Sequence, residues 1–343
     1  MSMKAVILAA GRGTRMLPLT EQRPKPLVPV AGRPILEHIV GGLASAGVDD
    51  ICLVIGWHGE QIEEAFCDGT RLGADLTYVW QEEFGGTGAA LLLAEEFIGD
   101  DAFVLGWGDI IIPPENYRRM MGIYREERPE AMLAVNRVDD PWEGAAVYVE
   151  DDCVERIIEK PPKGTSTTNF NNAGLFVFGP ELLSILKNTE VSERGELEVP
   201  SAIGTLLERG TPIRAYEIDG YWSDVARPSS AIAVSGQIVE RMSHSGVIIH
   251  PEARLSPRAD LRPPVFIGAG ASVGNATIGP NAVVMAKASV ADGAALADTI
   301  LLPGAEVGAG CELSWTVVEE GASVPANTIS TGTDSEAATI GGL

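Results

Sequence analysis

KAVILAAGRGTRMLPLTEQRPKPLVPV, running from Lys4 to Val30, is the stretch whose reading decides the fold. Ala5 to Ala10 is an aliphatic run of the buried-strand type. It passes straight into a glycine-rich loop, Gly11-Arg12-Gly13-Thr14-Arg15, and a second cation follows at Lys25. Such a segment suits a polyphosphate. Glycines let backbone N–H groups close on phosphate oxygens without a Cβ in the way. This makes Ala10, Gly11, Gly13 and Thr14 candidate phosphate contacts. Arg15 supplies a rigid fork of donors and Lys25 a compact charge. Pro24 and Pro26 are expected to hold the Lys25 segment extended and stiff. A Gly-x-Gly after a strand is also the pattern of an ordinary βα turn. The dinucleotide fingerprint is excluded because Met16 stands where its third glycine would be, and no Gly-Lys-Ser/Thr follows to make a Walker loop.

Outward from this stretch, apolar runs recur at 5–10, 51–57, 76–80, 102–108 and 131–138, with amphipathic stretches between them. The alternation predicts an α/β domain: a Rossmann-like, mostly parallel sheet with helices on both faces. Ligands in such sheets sit at the carboxyl ends of strands, at a topological switch point, and both the Gly11 loop and the Asp109 turn fall at strand ends. Residues 227–245 read as a linking helix. Beyond them an aliphatic residue recurs every six positions: Ile249, Leu255, Leu261, Ile267 and Val273. After one step of five to Ile278 the period resumes at Val284, Val290 and Leu296. Val307, Leu313, Val318 and Val324 continue it loosely. A six-residue period marks a parallel β-helix, of four to five coils here. The expected organisation is a domain over 1–226, the linking helix, a β-helix over 246–330 and a tail over 331–343.

The first segment resembles the signature of the sugar-1-phosphate nucleotidylyltransferases, LAAGxGTRLxPLTxxxPKPLxPV, with Met16 where leucine is usual. The match is to the glucose-1-phosphate thymidylyltransferase and N-acetylglucosamine-1-phosphate uridylyltransferase kind. The resemblance implies the nucleotide-diphospho-sugar transferase fold. For the C-terminal repeats it implies the left-handed β-helix of the hexapeptide family. Such enzymes join a nucleoside triphosphate to a sugar 1-phosphate and release pyrophosphate.

That reaction is an in-line attack on the α-phosphorus by an anionic oxygen, so positioning and charge neutralisation carry it. Arg15, Lys25 and Asp109 are the implied catalytic residues. Mg²⁺ is the implied metal, held by Asp109 of Gly-Trp-Gly-Asp and Asp224 of Trp-Ser-Asp. Taken singly, either aspartate could equally be a turn or helix-capping residue. The stretch Gln81-Glu-Glu-Phe-Gly-Gly86-Thr87-Gly88 resembles the base-recognition loop of the uridylyltransferases. An amide such as Gln81 offers both a donor and an acceptor to the O4/N3 edge of uracil or thymine, and a polar strand end with Thr87 as a helix cap would look the same. By resemblance, Glu159 and Asn172 bond sugar hydroxyls, Gly144 allows close approach and Lys160 meets the phosphate. Two stretches depart from the family pattern. Glu198-Val199-Pro200-Ser201 stands for Glu-Ile-Thr-Asp, and Asp224-Val-Ala-Arg-Pro228 for Asp-Val-Gly-Thr-Pro.

Composition narrows the alternatives. A chain of 343 residues with 45% hydrophobic content can bury a sizeable core. A net charge of −23 should repel nucleic acid, so anionic substrates must be met by local cations and a metal. Cys52, Cys67, Cys153 and Cys311 lack metal-site spacing and read as reduced thiols of a cytoplasmic protein. The start is too short and glycine-bounded for a signal peptide, and no run approaches the ~20 apolar residues of a membrane span. Three readings compete with UTP or dTTP transfer to glucose or N-acetylglucosamine 1-phosphate. One is a mannose-1-phosphate guanylyltransferase. Another is a regulatory paralogue, which would be expected to have lost Arg15, Lys25 or an aspartate. The third is an acyltransferase, which needs a histidine base that the span Leu255–Ile329 lacks. The β-helix is then best read as the module through which a homo-oligomer forms.

Overall fold

The computed structural model describes residues 3–192 and 195–341 and divides into two compact units. The first comprises 1–12 and 36–222. Its centre is a nine-stranded sheet. Its strands are β1 (Lys4–Leu8), β2 (Asp50–Ile55), β3 (Asp75–Trp80), β4 (Phe103–Trp107), β5 (Ala131–Arg137), β6 (Ala145–Glu150), β7 (Cys153–Glu159), β8 (Phe170–Phe178) and β9 (Ile213–Glu217). The spatial order is β3-β2-β1-β4-β8-β5-β9-β7-β6. Ala5, Val6 and Ile7 of β1 are wholly buried, as a strand covered on both faces requires.

From β1 the chain builds outward through β2 and β3, then returns to the other side of β1 with β4. The switch point predicted from the alternation therefore lies between β1 and β4, where Leu8 pairs with Trp107 and Gly108 N donates to Leu8 O at 2.9 Å. Helices α1 (Ile35–Ser45), α2 (Gly59–Phe66), α3 (Thr87–Leu92), α4 (Glu95–Ile98), α5 (Glu115–Glu127), α6 (Glu181–Leu186) and α7 (Val199–Glu208) connect the strands. A core cluster fills the layer between sheet and helices. Phe103, Phe176 and Phe178 are buried in it among the aliphatics of α3, α6 and α7.

The sheet is less parallel than alternation alone implies. The β3-β2-β1-β4 block and the β5–β9 pair are parallel. By contrast, β8 runs antiparallel to both β4 and β5, and β6 to β7. The physical cause of the second reversal is local. Asp151 and Asp152 both take positive φ (46° and 61°), the two-residue turn whose twist matches a tight hairpin, and aspartate tolerates it.

The second unit comprises 13–35 and 223–343. Helix α8 (Pro228–Met242) starts with proline at its first position, where a missing N–H costs nothing. It is followed by a parallel β-helix. Val265 pairs with Ala282, Ala282 with Thr299 and Thr299 with Thr316, so each of these coils takes 17 residues, whereas the first, from Val247 to Val265, takes three full hexads. One step in each 17-residue turn is therefore five residues long. The step to Ile278 is one such corner, and Leu301 and Val318 close the next two; all three are buried. The inward series from Ile267 to Val324 is buried throughout. Ile249, by contrast, is 44% exposed, on the strand at the edge of the coil's sheet. Ala338–Ile340 adds a further rung beside Thr316–Val318. Residues 13–35 are fastened within this unit. Ala31 N donates to Ser235 Oγ of α8 at 3.0 Å, and Gly32 sits so close to the Phe266 ring that a Cβ would stand 2.5 Å from it.

Candidate active site

In the first unit the loops at the carboxyl ends of β1, β2, β3 and β4 converge. Ala10 is buried and its carbonyl accepts from Trp57 N at 3.2 Å, while Gly11 is exposed. Gly108 must be glycine, because a Cβ there would stand 2.8 Å from Leu8 O and 3.0 Å from Ala9 Cα. That close approach brings the Asp109 turn alongside the Ala9–Gly11 loop. Gln81 follows β3, and its backbone N donates to Ile55 O at 2.8 Å. The residue is only 6% exposed, yet its side-chain amide has no hydrogen-bond partner among the described residues. Its amide atoms are not among the sealed, unpartnered ones, so they face solvent and are open to a ligand that offers a donor and an acceptor.

The Gly85–Gly88 loop is laced to the segment that departs from the family pattern. Leu197 N donates to Gly85 O and Gly88 N to Leu197 O, both at 2.8 Å. Gly86, at φ +94°, occupies the cap position of α3, and Thr87 does not cap its own helix. Its hydroxyl instead accepts from Val199 N at 3.0 Å, serving the first turn of α7.

A second group gathers around β6, β7 and β8. Glu159 pairs with Ala145, and Lys160 N donates to Gly144 O at 2.8 Å. Lys160 takes φ +44°, an unusual conformation for a long side chain, imposed by the turn into Pro161. The residue that organises this group is Asn171, which the sequence reading passed over. It is buried, its Oδ1 accepts from Ala145 N at 3.2 Å, and its Nδ2 donates to Asn136 Oδ1 at 3.0 Å. Gly144 leaves room for that amide, which a Cβ would strike. Asn172 lies at a bulge, where five residues of β8 (Asn172 to Phe176) stand opposite three of β5 (Val135 to Leu133). Its Oδ1 accepts from Gly174 N at 3.0 Å. Gly174, at φ +73°, packs beneath Trp107, and Trp222 Nε1 donates to Ala173 O at 3.0 Å. The only signal for these supports is the pair Asn171-Asn172 ahead of Ala-Gly.

In the second unit Arg15, Lys25 and Asp224 come together. Lys25 Nζ lies 3.4 Å from Asp224 Oδ1, and Arg15 Nη2 lies 3.9 Å from Oδ2. Lys25 is 8% exposed, so this carboxylate is a counter-charge it needs, whereas the long contact to exposed Arg15 is weak. The Lys25 segment is not extended as the prolines suggested. Pro24 is (ψ 143°), but Lys25–Leu27 forms one 3₁₀ turn closed by Leu27 N to Pro24 O and Val28 N to Lys25 O, both 2.9 Å. Pro26 fits there because its position needs no N–H in so short a turn. Gly13, at φ +62°, caps the turn Thr14–Met16, accepts from Thr20 Oγ1 at 2.8 Å, and leaves Thr14 and Arg15 exposed.

Among the described residues no group of three or more His, Cys, Asp or Glu side chains gathers as a metal site. Two single carboxylates, Asp109 and Asp224, are the donors the sequence nominates. A single carboxylate suits Mg²⁺, which keeps waters and takes substrate phosphates beside one or two carboxylates.

Comparison with known proteins identifies the family. The nucleotidyl transferase family model matches residues 4–241, and a GlmU-like C-terminal hexapeptide model matches 262–339. A protein named bifunctional protein GlmU from Methanococcus maripaludis is 36% identical over 73% of this chain and 61% of its own length. The chain thus spans about three fifths of that relative. A glucose-1-phosphate thymidylyltransferase from Streptomyces antibioticus is 32% identical over 81% of both chains. Among solved structures, one described as a glucose-1-phosphate thymidylyltransferase from Bacillus anthracis superposes with a TM-score of 0.63 at 29% identity, covering 68% of this chain and 95% of that one. The chain belongs to the sugar-1-phosphate nucleotidyltransferase family.

Proposed function

We propose that the protein transfers a nucleoside monophosphate from UTP or dTTP to glucose 1-phosphate or N-acetylglucosamine 1-phosphate, giving a nucleotide sugar and pyrophosphate. The observation that carries this reading is the nearly buried Lys25, held with Arg15 against Asp224 beside a glycine turn. A phosphate oxygen of the sugar phosphate attacks the α-phosphorus; the new P–O bond forms as the bond to pyrophosphate breaks. Lys25 and Arg15 neutralise the charge that builds on the departing pyrophosphate. Ala10, Gly11, Gly13 and Thr14 offer backbone contacts to the triphosphate. Gln81 reads the O4/N3 edge of the base, with Gly86 and Thr87 shaping its loop. Asn172 and Glu159 hold sugar hydroxyls, Gly144 gives room, and Lys160 meets the sugar phosphate. Asp109 and Asp224 would hold Mg²⁺, which when bound supplies charge neutralisation to the phosphates.

The domain over 1–226 is then catalytic and the helix 227–245 a connector. The coil over 246–330, of the left-handed hexapeptide kind, would join copies into a homo-oligomer, with the segment 331–343, expected as a tail, adding the rung Ala338–Ile340. The reading places the protein in the cytoplasm. No helix among the described residues is long and apolar enough to cross a membrane. His250 stands at the very start of the coil, and the span Leu255–Ile329 holds no histidine to serve as a base for acyl transfer.

The test is pyrophosphate release with Mg²⁺ over a grid of five nucleoside triphosphates against glucose, N-acetylglucosamine and mannose 1-phosphates. Turnover of UTP or dTTP supports the role given to Gln81. Turnover confined to GTP and mannose 1-phosphate would overturn it. A blank grid from folded protein would replace the enzyme reading with that of a regulatory paralogue.

A further inference from the structure

Arg12 lies between the two loop glycines, in a chain with 48 acidic residues and with Glu82 and Glu83 in a neighbouring loop. It nevertheless has no ion pair among the described residues. Its guanidinium carbon lies 5.1 Å from the centroid of the Trp57 ring and 5.3 Å from that of Phe84. Both distances are within cation–π range, and the weakly hydrated guanidinium is the cation best suited to stacking. The two rings belong to different loops: Trp57 follows β2, and Phe84 lies between Gln81 and Gly86 after β3. One side chain thus joins the glycine loop to the turn after β2 and to the loop that carries Gln81.

The surrounding backbone is built to bring these loops close. A Cβ at Gly56 would stand 3.0 Å from Ala10 O and 3.2 Å from Gln81 O. His58 holds φ +52° and packs edge-on against Trp57, with ring centroids 4.5 Å apart. A left-handed histidine persists where its surroundings over-determine it. Phe84 is 49% exposed, so apolar burial alone does not hold its loop in place.

We infer that Arg12 is a positioning residue for the nucleotide: stacked between Trp57 and Phe84, it locks the loop bearing Gln81 against the glycine loop, so that base and triphosphate are met in one fixed geometry. The inference deepens the function proposed above and rests on it. It predicts that Arg12 acts through Phe84, which a merely local structural role would not require.

The experiment is equilibrium binding of UTP and dTTP to the full chain by calorimetry, beside pyrophosphate release. Arg12→Lys keeps the charge but loses the planar stack, and Phe84→Leu removes one ring. Each single variant is expected to weaken nucleotide binding by about 2- to 30-fold, the span of one cation–π contact. The double variant should be no weaker than about twofold beyond the weaker single, because both remove the same contact. The KM for sugar phosphate and the melting curve should hold. Single variants that bind like the unaltered protein, or effects that multiply in the double variant, overturn the clamp. Failure of the transferase reading is visible separately, as an unaltered protein that binds UTP or dTTP but releases no pyrophosphate. A protein that binds neither nucleotide overturns both.

Discussion

Gly13→Ala is the perturbation that most directly tests how the Lys25 site is built. Gly13 sits at φ +62°, ψ 37°, where a Cβ costs about 1–2 kcal/mol per residue. The same Cβ would stand 2.9 Å from Lys25 Cβ and 3.2 Å from Thr20 Cγ2. Lys25 Cβ is fixed to backbone lying between two prolines in a closed 3₁₀ turn, so relief must come from moving main chain. Overpacking of that kind costs about 1–3 kcal/mol. Together the two terms give about 2–5 kcal/mol, which at ~2–4 °C per kcal/mol lowers Tm by at least about 4 °C. Moving Lys25 by up to ~1 Å should also cut turnover by as much as ~10²-fold. Gly11→Ala is the control. A Cβ there meets nothing within 4 Å and the backbone is not left-handed, so Tm should stay within ~1–2 °C. Any loss should appear in the KM for nucleotide, where the methyl crowds the phosphates. The assays are thermal unfolding and pyrophosphate release. A Gly13→Ala protein that melts with the unaltered one refutes the account of the turn.

The remaining predictions test the charges and the core. Lys25→Ala and Asp109→Asn should each cost ~10²–10³ in turnover, the usual loss for a preorganised charge contact, with near-normal turnover in either sinking its assigned role. Burial pushes the Cys52 thiol from 9.0 up to about 12, so above pH 9 the unfolded chain gives up a proton that the folded chain keeps. Stability should therefore fall by about 1.4 kcal/mol per pH unit there, and denaturation curves of Cys52→Ala should show a shallower fall. Asn116 is wholly buried: its Oδ1 accepts from Tyr216 and from Asp219 N, and its Nδ2 donates to the Pro113 and Asp219 carbonyls. Asn116→Leu should cost at least about 2 kcal/mol by urea titration, since it strands those partners. With a net charge of −23, nucleotide kcat/KM should rise or stay level from about 0.01 to about 0.15 M salt, and a steep fall would mean that local cations govern the encounter.

Much of the fold was legible because its signals are local. The five apolar runs mark β1 to β5 to within two residues, since strands buried on both faces need continuous aliphatics. The coil was legible from its inward residues, although only the pairing explains why the period slips. A 17-residue turn must contain one five-residue corner, which makes Leu301 and Val318 as regular as Val284. What escaped the sequence depends on partners far along the chain. Gly144 is glycine because of Asn171, Gly174 because of Trp107, and Gly32 because of Phe266. Thr87 looks like a helix cap and is one, but of α7 rather than α3. No spacing rule carries such information, because each fact is set by what the fold brings alongside.

The same distinction explains how so acidic a chain could handle two anionic substrates. Beyond a Debye length of about 8 Å the surplus of carboxylates is largely screened, so the summed charge governs encounter more than the bound geometry. Within the site, distances of 3–4 Å decide. Asp224 faces two cations, the nearly buried Lys25, whose charge it offsets in a poorly hydrated place, and the exposed Arg15, which it touches only weakly. A triphosphate brings the same kind of counter-charge with more oxygens, so it can take over part of the carboxylate's role without any new cation being supplied. On this argument Asp224 serves the unliganded site as much as the liganded one. Its neighbours Lys25 and Arg15 are arranged in advance of the anion they are proposed to receive, which is the preorganisation that electrostatic catalysis requires.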